Sequence, residues 1–280
     1  MIAALPDRWQ LARGQVLPAL RTTSRPNGSL RAASAGRPLL TRPFAPFLHQ
    51  LLVLDGERTR TYLKAEQLER WGVAPAAAWI TAEGNLPPDT GLKLAGGLWH
   101  LATGDGYAAS RLALPGWLRA FSERLGAPAV AAIPHARALW VGTAAQAPAL
   151  LEQAQAAWEE AGEPLSPALY TADATGTVRP WLPPPAHPLS ARARRAQLLL
   201  AGTEYAAWAD EAEQRLAPLS LVVRQGLPLL VARWEPGSGA LIPQVDAVLR
   251  AEELLPWAAV ADRLERVEDA VVSIFRERAP

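Results

Sequence analysis

The chain contains no cysteine, which removes disulfides, thiolate nucleophiles, iron–sulfur clusters and cysteine-ligated zinc from its possible chemistry. Its 280 residues hold only two lysines, Lys64 and Lys93, and two asparagines, Asn27 and Asn85. No apolar run approaches the roughly 18 residues that a membrane helix needs, and the first residues lack the apolar core of a signal peptide. A cytoplasmic protein without membrane contact is the expectation. The four histidines, His49, His100, His135 and His187, stand far apart and show no metal-ligand spacing, so no metal and no other cofactor is expected.

What is present is an apolar half, 56 alanines and 26 arginines. Alanine, arginine, proline and glycine share GC-rich codons, so this bias reads first as genomic. The formal charge of +1 hides an asymmetry. Residues 1–50 carry seven arginines against the single acid Asp7, a balance of +6, which leaves −5 on the remainder. Residues 1–42 are therefore expected to form a basic, partly flexible leading segment. Arg21, Arg25, Arg31, Arg37 and Arg42 are its candidates for contact with nucleic acid, although no aromatics are interleaved among them.

Periodicity and turn residues organise the rest. A short helix is expected over Asp7–Arg21. A strand over Phe47–Leu54, the Asp55-Gly56 turn and a return strand over Arg58–Leu63 follow. Helices are expected over Lys64–Trp71, ended by Gly72, and from Pro75 to about Glu83. Leu98–Thr103 and Tyr107–Ala113 read as two strands around Gly104-Asp105-Gly106. A helix after Pro115 turns Leu114, Trp117, Leu118, Phe121 and Leu125 inward. Strands over Ala129–Ile133 and Ala138–Val141, a helix over Pro148–Ala161 and a small hairpin over Leu169–Trp181 complete this part.

Four prolines between Leu182 and Ser190 break the chain and favour a stiff connector. Beyond it, a helix capped by Thr203 is expected, with strands over Leu219–Val223, Leu229–Trp234 and Val245–Leu249 and a closing helix over Leu254–Leu264. Alternating short strands and helices with tight connections define an α+β class of two domains, short antiparallel hairpins and sheets covered by helices. The expected boundaries are 1–42, 43–181, a linker at 182–190, and a smaller domain at 191–280. The eleven tryptophans are scattered one per element, as core anchors would be.

Three blocks carry a resemblance. Leu68-Glu69-Arg70-Trp71-Gly72-Val73, Ala82-Glu83-Gly84-Asn85-Leu86 and Gly104-Asp105-Gly106-Tyr107-Ala108-Ala109-Ser110-Arg111 occur in that order, followed by Ala131-Ala132-Ile133-Pro134 and Pro164-Leu165-Ser166. Over roughly residues 40–181 this order resembles the YtpQ-like proteins, a bacterial family of unknown function. The resemblance implies a domain and brings no reaction, cofactor or catalytic residue with it.

Asp105, Tyr107, Ser110 and Arg111 place an acid, a phenol, a hydroxyl and a guanidinium within seven residues. On a strand, Tyr107 and Arg111 share a face and suit a phosphate or carboxylate. A turn with Tyr107 half-buried is the plainer alternative. Asn85 is expected to close a helix in the left-handed conformation or to contact a ligand. No dinucleotide or Walker glycine pattern and no nucleophile elbow occurs. The sequence thus favours a non-catalytic binding or adaptor protein that recognises a protein or a small anionic ligand. A metal-free enzyme acting through Asp105, Tyr107 and Arg111 on a phosphate- or carboxylate-bearing substrate is the alternative, and weak nucleic-acid binding through the leading arginines is a second.

Overall fold

A computed structural model describes residues 6–24, 39–56, 59–89, 91–101, 103–267 and 273–278. They form two compact units, divided between Trp181 and Leu182, with Thr23 and Ser24 grouped with the second. The α+β class expected from the pattern of elements is what the chain adopts.

The first unit opens with a one-turn helix α1 (Trp9–Ala12) and strand β1 (Val16–Thr22). The expected helix over Asp7–Arg21 is thus only its first turn. Val16, Ala19 and Leu20 are fully buried, and β1 pairs antiparallel along its whole length with β3 (Leu48–Asp55). Part of the basic leading segment is therefore built into a sheet. Pro18 is tolerated there because β1 is an edge strand. Strands β2 (Thr41–Ala45) and β4 (Arg60–Tyr62) complete this four-stranded sheet, both pairing with β3. Helices α2 (Ala65–Trp71) and α3 (Pro75–Asn85) close its core, where Leu52, Leu54, Leu63, Leu68 and Trp79 meet.

A second sheet contains β5 (Leu92–Ala95), β6 (Leu98–Leu101), β7 (Ala129–Ala132), β8 (Leu139–Thr143), β9 (Leu169–Ala172) and β10 (Val178–Pro180), in the order β10-β9-β7-β8-β6-β5. Helix α4 (Trp117–Leu125) links β6 to β7, and α5 (Ala147–Glu160) links β8 to β9. Each link skips one strand, joins two parallel strands and moves in the same direction across the sheet. The two starting strands run oppositely, so right-handed crossovers put α4 and α5 on opposite faces. All four residues of β7 are accordingly buried. The strand expected over Tyr107–Ala113 is instead a 3-10 turn at Ala109–Ala113, and β6 pairs with β5 and β8.

The second unit starts from α6 (Ser190–Ala212), 23 residues long. It begins 13 residues before the expected Thr203 cap. Gly202 and Thr203 both lie inside the helix, and a Cβ added at Gly202 would meet Leu230 only at ordinary van der Waals distance. Strands β11 (Leu219–Arg224), β12 (Leu227–Arg233), β14 (Ala247–Arg250) and β15 (Glu253–Pro256) form one sheet, and β13 (Ile242–Pro243), β16 (Leu264–Arg266) and β17 (Ile274–Glu277) a small second one. The β12–β14 pair is parallel, against the antiparallel expectation. The helix expected over Leu254–Leu264 is β15, two 3-10 turns and the start of β16. Pairing of Leu254 and Leu255 with β14 overrides local helix propensity.

Candidate functional site

The polar cluster singled out in the sequence is assembled, but around backbone rather than around a cavity. Gly104 and Gly106 take positive φ of 71° and 80° and fold the chain tightly about Asp105. Asp105 Oδ1 accepts bonds from the Tyr107 amide at 2.7 Å and the Thr103 hydroxyl at 2.5 Å. Its Oδ2 pairs with Arg111 Nη2 at 2.8 Å. Arg111 is 1% exposed and also donates from Nε to the Pro87 carbonyl at 2.7 Å. Ser110 is buried, and its hydroxyl accepts the Leu20 amide of β1 at 3.0 Å. This is why Tyr107–Ala113 is not a strand: a guanidinium and a hydroxyl reach in to fixed backbone groups, and only a coiled turn presents both.

Tyr107 is fully buried, with the Arg60 guanidinium 4.8 Å above its ring. Arg60 also donates to the Asp105 carbonyl at 2.8 Å and to Asp55 at 2.9 Å. Burial pushes the Tyr107 phenol well above its ordinary value; Asp55 adds to the rise and Arg60 opposes it. Burial alone would raise the Asp105 carboxyl. The bonds from Arg111, Thr103 and the Tyr107 amide outweigh it, and the group titrates below the ordinary carboxylate value.

Asn85 is the last residue of α3 and does not take the expected left-handed conformation. Its amide donates to the carbonyls of Arg13 at 2.6 Å and Val16 at 2.9 Å, tying the helix end to the start of β1. Of the leading arginines, Arg21 donates to the Tyr62 hydroxyl at 3.2 Å and to the Leu20 carbonyl at 2.8 Å. Arg42 lies 4.2 Å over the Trp79 ring and bonds Gln50 and Glu83. Arg25, Arg31 and Arg37 lie outside the described residues.

An open concavity lies elsewhere in the first unit. A cleft of about 640 Å3 runs between the α3–β5 connection and α4. Its floor is the buried apolar trio Leu86, Trp117 and Phe121, and its rim carries Asp89, Pro115, Ala120 and Arg124. Gly116, at φ 71°, lets α4 start directly at this rim. Trp117 donates to the Pro88 carbonyl at 3.2 Å, which joins the two walls. Arg124 stacks over Phe121 and Trp99 at 5.6 and 5.8 Å. Asn85, Asp105, Tyr107, Ser110 and Arg111 do not line this cleft. The sequence presented Trp117 and Phe121 as core residues, which their burial bears out, without revealing that their outer edges floor a cleft.

Strand β5, which the sequence expectations lack, starts just after the cleft residue Asp89, whose carbonyl accepts the Leu92 amide. Gly96-Gly97, at φ 58° and 78°, is the two-residue hairpin signal that could have found it. Of the tryptophans, Trp79, Trp117, Trp208 and Trp234 are buried, while the other seven are only half-buried. The core-anchor reading thus holds for four of them.

In the second unit a groove of similar volume, lined mostly by leucine and alanine, runs between α6 and β11. Among the described residues no group of three or more histidine, aspartate or glutamate side chains could hold a metal, and no helix is long and apolar enough to cross a membrane. Together these features define an α+β protein of two units with one aromatic-floored, charge-rimmed cleft. No family model, curated protein or solved structure matches the chain.

Proposed function

We propose that this chain is a cytosolic binding or adaptor protein that recognises a protein partner through the cleft of its first unit. One observation carries this reading. The residue types suited to chemistry, Asp105, Ser110 and Arg111, are held by internal bonds, whereas the cleft offers an apolar floor between two charged rims. Apolar centre and polar rim is the pattern of protein recognition. The resemblance to YtpQ-like proteins spans roughly residues 40–181, which lie within this unit, and membership of that family is part of the proposal. A random peptide library displayed on phage and selected on the full chain tests it. Selected peptides should bind the wild type and lose most of their affinity for Ala120→Trp, which fills the cleft from its exposed wall. Binding at full strength by Ala120→Trp, or a selection that returns no binder, contradicts the reading.

A further inference from the structure

The six-stranded sheet ends in β5, and among the described residues no strand pairs with its outer edge. In a two-residue hairpin the residues flanking the turn, Ala95 and Leu98, form the hydrogen-bonded pair, so bonding alternates along the ladder. Leu94 and Trp99 then face each other without exchanging bonds, and the N–H and C=O of Leu94 point away from β6. The Leu94 side chain is 60% exposed. It stands in one cross-strand row with Trp99. The Trp99 ring lies 6.0 Å from Phe121, and Phe121 lies 5.2 Å from Trp117 on the cleft floor. An apolar row thus leads from an open backbone edge into the cleft.

Charge selects what fits this row. Arg124 caps Trp99 and Phe121 on this face, and Lys93 is exposed on the other face of β5. Neither cation forms an ion pair among the described residues. Strand β5 itself, Leu-Lys-Leu-Ala, contains no acid; the cleft's own acids, Glu83 and Asp89, lie on the wall opposite α4, and Glu83 is already paired with Arg42. A second copy pairing edge to edge would add another Lys93 and Arg124 to the same place.

We propose that β5 accepts an extended acidic peptide as a seventh strand, with an apolar side chain on the Leu94–Trp99 row and a carboxylate on Arg124. Backbone bonds to Leu94 supply affinity, and the alternating side chains supply choice. This rests on the protein-binding reading above and assigns its partner chemistry.

The test uses the peptides selected on the full chain, synthesised with a fluorescent label and measured by anisotropy. They are expected to alternate apolar residues with aspartate or glutamate. Arg124→Gln should weaken them at least about tenfold, the loss of one charge-assisted bond. Leu94→Pro removes only the outward N–H, since the Leu94–Trp99 pair exchanges no bonds, and should weaken them to a similar degree. Should that variant fail to fold by circular dichroism, the double variant Lys93→Gln, Arg124→Gln decides. Peptides that lack acids, or that bind these variants as tightly as the wild type, overturn strand addition while leaving the cleft reading intact if Ala120→Trp still blocks them. Concentration-dependent dimers that Leu94→Pro dissolves would assign the edge to a second copy and overturn the proposal.

Discussion

The turn at Gly104–Arg111 and the cleft beside α4 lie in the same unit and divide its properties between them. The turn has the acid, the hydroxyl, the phenol and the guanidinium, all buried or bonded to backbone. The cleft has little of that chemistry but is open. A dense run of polar residues marks a site only where a polar group is both unpaired and within reach of a ligand. The Tyr107 hydroxyl, without a hydrogen-bond partner among the described residues, is buried. Arg111 and Arg124 are the sharpest pair: one guanidinium is sealed between Asp105 and Pro87, the other lies exposed on two aromatic rings.

The largest effect should come from Arg111→Ala. It removes the buried guanidinium and its bonds to the half-exposed Asp105 and to the Pro87 carbonyl, and should cost about 2–3 kcal/mol, read as a lower urea midpoint. A loss under about 1 kcal/mol would mean that the cluster is not structural. Ser110→Ala should follow at about 1–3 kcal/mol, because the Leu20 amide is left buried without an acceptor. Asn85→Ala removes two side-chain bonds at a half-exposed position, and its loss should be about 1 kcal/mol.

A pH series sharpens the contrast further. The Asp105 carboxyl titrates lower in the folded chain than unfolded, so its contribution is present above the unfolded value of about 3.9. It is lost as pH falls through the folded value. Urea midpoints measured down through pH 4 should therefore fall more steeply for the wild type than for Asp105→Asn. Parallel slopes would remove Asp105 from the account. The smallest effect on stability belongs to the cleft: Arg124→Gln should stay within about 0.5 kcal/mol of the wild type while losing the acidic peptide.

Much of the fold was legible because its signals are local. Gly72 ends α2 in the left-handed conformation expected of it, and Pro75 opens α3. The failures share a cause in distant partners. Tyr107–Ala113 alternates like a strand, but Arg111 is drawn to Pro87, 24 residues away. Leu254 and Leu255 sit in a helix-prone stretch and pair with β14 instead. Of the site, residue types were legible and their availability was not. Whether Ser110 is free depends on Leu20, 90 positions earlier.

Hydrogen exchange of the full chain with and without a selected acidic peptide tests the central contrast most directly. Exchange should slow at the Leu94 amide and along Gly116–Arg124, with Thr103–Arg111 unchanged. Protection at Thr103–Arg111 with none at Leu94 would contradict it.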